Sequence, residues 1–267
     1  MALPRLGLGT WHMGESAVAR GAEIAALRLG LDLGVALIDT AEMYGEGGAE
    51  EVVGAALQGR RDAVRVVTKF YPHNASRRKL PQACAASLGR LGIERIDLYL
   101  LHWRGSVPLQ ETVEALEKLV AEGRVARWGV SNFDVDDLRE LAAAGGAAVA
   151  ANQVVYNLAR RGIEFDLLPH CRDAGIDVMA YSPLDEGPLA HHAAVEAVAA
   201  RLGIAPAQVC LAWLLREPGV CVIPKAAREE HVRANVASAG IALDAEALRT
   251  LDAAFPPPRT RRALEVL

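Results

Sequence analysis

Apolar residues along this chain fall into two alternating rhythms. Continuous runs rich in valine, isoleucine and leucine occupy residues 6–10, 35–39, 64–69, 96–102, 125–131, 148–153, 177–181 and 220–224. Between most of them the apolar positions recur at three- and four-residue intervals. Ile24, Leu27 and Leu31 form one stripe, Cys84, Leu88 and Leu91 another, and Val113, Leu116 and Val120 a third. The first rhythm predicts strands buried on both faces, and the second predicts amphipathic helices that cover them. Gly34, Gly92 and Gly123 each stand just before a strand, where a helix C-cap is expected.

Eight strands alternating with helices in 267 residues predict a TIM (β/α)₈ barrel. The interval between the seventh and eighth strands is too long for one crossover. Helical patterns at 193–201 and 206–216 place an extra helix before the last strand. No linker or composition shift interrupts the chain, so residues 1–267 are expected to form a single domain. Residues 255–267, opened by Pro256, Pro257 and Pro258, are expected to leave the barrel as a short C-terminal tail.

Composition narrows the function classes. Hydrophobic residues make up 52 % of the chain, enough for one large core, and charged residues 23 %. A formal net charge of −4 supplies no global positive field, so neither nucleic acid nor an anionic membrane is an expected partner. No stretch is apolar enough to span a bilayer and no leader pattern opens the chain. Cys84, Cys171, Cys210 and Cys221 lie far apart, which predicts buried thiols in a reducing cytoplasm and no structural metal.

The residues that close the strands are polar. In order they are Thr10, Asp39, Lys69, His102, Ser131 with Asn132, Gln153, Tyr181 with Ser182, and Lys225. The C-terminal strand ends of a TIM barrel converge on one mouth, where the reaction site forms. An acid, an amine and an imidazole therefore reach one rim from three neighbouring strands, with the phenol of Tyr44 in the turn after the second. Other oxidoreductase patterns fit poorly. Gly7-Leu8-Gly9 opens a dinucleotide fingerprint that fails at His12, and Gly48 stands four residues after Tyr44 where a short-chain dehydrogenase needs lysine. No HExxH appears, and the His191–His192 pair reads as solvated loop.

Several segments together resemble the aldo-keto reductases. They are Leu37-Ile38-Asp39-Thr40-Ala41, Tyr44-Gly45, Thr68-Lys69, Leu101-His102-Trp103, Trp128-Gly129-Val130-Ser131-Asn132-Phe133, Asn152-Gln153, Tyr181-Ser182-Pro183-Leu184 and Ile223-Pro224-Lys225, spread in order over nearly the whole chain. Glu42-Met43, Trp103 and the short tail resemble a bacterial subgroup acting on small 2-oxoaldehydes such as methylglyoxal. The resemblance implies reduction of a small-molecule carbonyl compound, with NADPH as cofactor and NADH less preferred.

Such chemistry explains the residue types. Hydride reaching a carbonyl carbon leaves negative charge on oxygen, so a positioned acid must supply a proton. Tyr44 is the candidate acid, Lys69 is expected to lower its pKa, and Asp39 to pair with Lys69. His102 would orient the substrate oxygen. The resemblance further implies that Ser131, Asn132 and Gln153 clamp the nicotinamide carboxamide and that Tyr181 stacks on the ring. It places Ser182, Pro183 and Leu184 near the pyrophosphate and Thr10, Trp11, Ile223 and Pro224 along the cofactor.

Lys225 lies where the family holds the 2′-phosphate, with Asn235 for the adenine. The chain departs from the pattern at Ala226, where a hydroxyl residue is frequent, and at His231 and Ala234, where Arg and Glu are common. Arg228 and Arg233 are candidates to restore phosphate affinity. Trp11, Met43 and Trp103, with Tyr44 and His102, are expected to wall an open substrate pocket suited to small aldehydes. Nothing argues for an oligomer, so a monomer is expected. The alternative is a nucleotide-binding regulatory subunit on the same barrel with little turnover.

Overall fold

The computed structural model describes residues 3–267. Its strands are β1 (Leu8–Gly9), β2 (Leu37–Asp39), β3 (Arg65–Phe70), β4 (Ile96–Leu101), β5 (Val125–Ser131), β6 (Ala151–Val155), β7 (Asp177–Tyr181) and β8 (Val220–Val222). All eight are parallel and pair in sequence order. Between and after them lie α1 (Arg20–Asp32), α2 (Gly48–Leu57), α3 (Leu80–Leu91), α4 (Leu109–Ala121), α5 (Val135–Ala143), α6 (Leu167–Ala174), α7 (Ala193–Leu202), α8 (Pro206–Leu215), α9 (Glu229–Ala237) and α10 (Ala245–Ala254). The barrel has an extra helix before its last strand, since α7 and α8 both precede β8.

Closure joins the first strand to the last. Leu6 bridges Val222 and Gly9 bridges Lys225. The Gly7 amide donates to the Val222 carbonyl at 2.9 Å, and the Gly9 amide to the Pro224 carbonyl at 3.0 Å. A Cβ on Gly9 would stand 2.7 Å from the Ile223 carbonyl oxygen, so this seam closes only around a residue without a side chain.

Strand alternation separates two buried layers. Leu37, Val67, Leu98, Leu100, Ala151, Met179, Cys221 and Ile223 cluster inside the barrel, while a larger cluster fills the space between strands and helices. Two residues beyond Leu37, Val67 and Ala151 on the same faces stand Asp39, Lys69 and Gln153. The period-two rule thus places three polar groups directly above the apolar plug, at the C-terminal end of the barrel.

Helices pack closely where small residues allow it. A Cβ on Gly54 of α2 would lie 2.7 Å from the Leu91 carbonyl oxygen and 2.8 Å from that of Arg90, at the end of α3. Gly54→Ala is therefore expected to destabilise the fold by about 1–3 kcal/mol despite the better helix propensity of alanine. Urea unfolding checks this, and an unchanged midpoint would mean that α2 shifts freely.

Two sequence expectations are corrected. The sixth strand is Ala151–Val155 rather than 148–153, because the Val149 amide turns back to the Gly146 carbonyl at 3.2 Å. Gln153 thus sits within the strand instead of ending it. The segment after Phe255 does not leave the barrel but returns across the mouth. Arg261 ties it to Asp136 at 2.7 Å and Asp166 at 3.1 Å, Leu264 packs on the core, and the Leu267 amide donates to the Tyr181 hydroxyl at 3.2 Å. Among the described residues no single helix is long and apolar enough to cross a membrane; the one bent pair that passes by composition, α7 with α8, includes seven buried residues of α8.

Candidate active site

A cavity of about 590 Å³ opens at the C-terminal end of the strands. On one side, Asp39 from β2, Tyr44 from the following turn and His102 just after β4 line it, with Lys69 of β3 buried beneath. The turn at Tyr44 is left-handed through Gly45, Glu46 and Gly47 (φ of 56, 53 and 94°), which swings the phenol back over the barrel. Trp11 meets the Tyr44 ring edge-on at 4.8 Å, and His102 lies 5.8 Å from it between centroids.

The Lys69 ammonium, 0 % exposed, has three donors and uses each. It donates to Asp39 Oδ2 at 2.8 Å, to the Thr40 carbonyl at 2.8 Å and to the Tyr44 hydroxyl at 3.0 Å. Asp39 is completed by Gln153, whose Nε2 donates to Oδ1 at 2.7 Å. Four residues from β2, its following turn, β3 and β6 thus form one dry chain of hydrogen bonds.

Electrostatics correct a further expectation. The Tyr44 pKa is raised, because burial outweighs the pull of Lys69 in the opposite direction. Tyr44 is therefore a protonated phenol at neutral pH, with Lys69 limiting the cost of losing that proton. Burial works against the Lys69 ammonium, but Asp39 and Tyr44 outweigh it and hold the amine charged. Burial raises the Asp39 carboxyl against the opposing effects of Lys69 and Gln153.

His102 is pushed down to about 3, by burial first and then by Lys69. Its ring is neutral at pH 7. Nδ1 is buried without a partner, and an orphaned N–H costs more than an orphaned acceptor, so the proton belongs on Nε2.

Neutral polar groups flank the quartet. Ser131 Oγ donates to the Gln153 carbonyl at 2.8 Å. Asn132, at φ 60°, donates to the His102 carbonyl at 3.3 Å and accepts from the Tyr181 hydroxyl at 3.0 Å. Thr10 Oγ1 donates to the Asp39 carbonyl at 3.0 Å. Trp11, Met43 and Trp103 stand at the outer edge, and Ser182, Pro183, Leu184, Ile223, Pro224 and Lys225 continue the wall.

Ala226, His231 and Asn235 fall outside this cavity. Asn235 is buried on α9, and His231 accepts from Arg228 at 2.7 Å on the surface. Arg233 pairs with Glu229 within α9. Gly9, His12, Glu186, Gly187, Val266 and Leu267 also line the cavity, although the sequence does not mark them as site residues. Only the approach of Gly9 to β8 had a sequence signal, the expected convergence of the first and last strands.

The donor set fits a nicotinamide dinucleotide. Neutral amide and hydroxyl groups adjoin the quartet of Asp39, Tyr44, Lys69 and His102, the Tyr181 ring follows, and Lys225 is the one lysine or arginine in the lining. That sequence of surfaces matches a carboxamide, an aromatic ring and an anionic end.

Residues 5–255 match the model of the aldo/keto reductase family. Over its whole length the chain is 50 % identical to the methylglyoxal reductase YeaE of Escherichia coli K12, covering 96 % of that protein. A crystal structure of an aldo/keto reductase from Klebsiella pneumoniae in complex with NADP and acetate superposes with a TM-score of 0.97 at 52 % identity, covering 99 % of this chain and 96 % of that one. An NADH-specific methylglyoxal reductase of Escherichia coli K12 is 36 % identical over 70 % of this chain and 65 % of its own.

Proposed function

The chain belongs to the aldo/keto reductase family and is an oxidoreductase, and from that premise we propose that it reduces small aldehydes and 2-oxoaldehydes with NADPH, Tyr44 giving the proton. The buried chain from Gln153 through Asp39 and Lys69 to Tyr44 carries this reading. When bound, the nicotinamide supplies hydride to the carbonyl carbon. Tyr44 donates its hydroxyl proton to the carbonyl oxygen, and Lys69, 3.0 Å away, stabilises the phenolate that results. Asp39 keeps Lys69 charged and in place. His102 donates from Nε2 to the same oxygen and so orients it.

Ser131, Asn132 and Gln153 would hold the carboxamide, Tyr181 the ring face, and Ser182 to Leu184 the pyrophosphate. Met43, Trp11 and Trp103 leave a slot for small, compact carbonyl compounds. The 50 % identical methylglyoxal reductase supports that substrate class. Quartet and clamp all come from one chain, so a monomer, with residues 1–267 acting as one domain, is the expected working form. Four buried free cysteines suit a reducing cytoplasm.

Steady-state oxidation of NADPH with methylglyoxal and an aromatic aldehyde tests the proposal. Dinucleotide binding without turnover on a broad aldehyde panel would favour a regulatory subunit instead. Cofactor choice is a separate matter, since one relative is NADH-specific. Lys225→Ala is expected to raise KM for NADPH far more than for NADH; equal losses would remove Lys225 from the 2′-phosphate, and wild-type kcat/KM values near equality would remove the preference itself.

The state of His102 predicts a pH response. With its folded pKa near 3 and an ordinary value of about 6.5 when unfolded, His102 is neutral from pH 5 to 8. The reduction rate should show no inflection there from this residue. Stability behaves differently: below about pH 6.5 the unfolded chain takes up the proton first, so this contribution is full above that value and is lost as pH falls toward 3, by at most about 1.4 kcal/mol per unit. Thermal melts of wild type and His102→Gln between pH 7 and 4 check the sign; parallel pH slopes would refute it.

A further inference from the structure

The loop after β7 runs over the cavity in an unusual backbone conformation. Ser182, Asp185, Glu186 and Gly187 have φ values of 47, 49, 60 and 120°, so three non-glycine residues lie in the left-handed region within six positions. A segment of this kind does not hold itself, and its neighbours must determine it. The holding contacts come from the loop after β6. Asn157, fully buried, donates to the Ser182 carbonyl at 2.9 Å, and Arg160 Nε donates to Asp185 Oδ1 at 2.6 Å.

The same guanidinium reaches the returning tail. Arg160 Nη1 donates to Glu265 Oε1 at 3.1 Å, immediately before Val266 and Leu267, which line the cavity. A second, independent link runs parallel to it: the Leu267 amide donates to the Tyr181 hydroxyl, which in turn donates to Asn132. The loop faces the proposed cofactor side and the tail faces the mouth. Arginine suits such a junction because its rigid planar fork fixes two partners in one geometry.

We propose that Arg160 is a positioning residue that couples the grip of the 182–187 loop on the dinucleotide to the placement of residues 265–267 at the substrate mouth. This rests on the cofactor reading given above. The two sides then share one free energy: loosening the tail weakens the hold on the cofactor, and loosening the loop widens the mouth. The three side chains are about one-quarter to one-half exposed, at 27 %, 24 % and 46 %, so the expected effects are moderate.

The test is a double-mutant cycle on cofactor release. NADPH fluorescence is followed by stopped flow while excess NADP⁺ displaces it. Asp185→Asn is expected to speed release by about threefold to tenfold, and Glu265→Gln by about twofold to fivefold although Glu265 does not line the cavity. In an Arg160→Met background, Glu265→Gln should add nothing. Arg160→Met should also raise KM for methylglyoxal while kcat is unchanged or, where release limits turnover, increased.

Unchanged release in Glu265→Gln, or effects that multiply in the Arg160→Met background, would overturn the coupling. If Arg160→Met proves too unstable to assay, the cycle between Asp185→Asn and Glu265→Gln carries the same test: coupling through Arg160 makes their combined effect smaller than the product of the two, and effects that simply multiply overturn it. A wild-type chain that binds no dinucleotide would bring down the cofactor reading and this one together; normal binding with no coupling brings down this one alone.

Discussion

Tyr44→Phe is expected to lower kcat for aldehyde reduction by at least about 10², with dinucleotide affinity left within about twofold. Phenylalanine keeps the ring, and with it the edge contact to Trp11. It removes only the hydroxyl that accepts from Lys69. The loss should fall on the transition state, because a proton is needed only as charge develops on the carbonyl oxygen. Burial leaves Tyr44 protonated well into the alkaline range, so the wild type should keep its reductive activity there instead of losing its acid early. A Phe variant with near-normal turnover would assign the proton to another group, and His102 would be the next candidate.

Lys69→Met carries the largest expected effect on stability. It leaves the Asp39 carboxylate, 2 % exposed, with Gln153 as its one remaining side-chain donor, and strips the Thr40 carbonyl and the Tyr44 hydroxyl of theirs. Removing one partner of a buried ion pair costs about 3–5 kcal/mol. Denaturant unfolding should show that loss, and activity should vanish with it. Combining Lys69→Met with Asp39→Leu should recover much of the stability, since an apolar pair can replace a buried ionic one. It should recover none of the turnover. A double variant as unstable as the single one would mean that the pair supports the barrel through contacts other than charge.

The sequence made the barrel and its rim legible because both follow from periodicity. Leu37 with Asp39, Val67 with Lys69 and Ala151 with Gln153 alternate along strands, and a parallel barrel stacks such residues in layers. What stayed hidden depends on contacts that no local pattern encodes. The start of β6 is ambiguous in sequence because the alanines at 148 and 150 suit a turn as well as a strand. The link from Gln153 to Asp39 joins β6 to β2 across the barrel interior, and no local signal announces it. Lys69 does pull the Tyr44 pKa down, but the completeness of burial, which decides the net sign, is a property of the packed structure. Pro256 to Pro258 end a helix and so predict a departing tail, whereas Arg261 and Leu264 bring the segment back through partners distant in sequence.

The seam between β1 and β8 has a consequence for how the molecule is made. Gly9, Thr10 and Trp11 approach the cavity from one side of that seam, and Ile223, Pro224 and Lys225 from the other. These two groups are nearly the full length of the chain apart in order of synthesis. A nascent polypeptide therefore holds all four proposed catalytic residues, Asp39, Tyr44, Lys69 and His102, long before the proposed dinucleotide site is complete. The site comes into being only when the eighth strand docks against the first, the slowest kind of contact for a chain to make. A dinucleotide bound across that join would favour the closed barrel over any state in which it has parted. The cofactor would then act as a latch on the finished fold as well as a reagent within it.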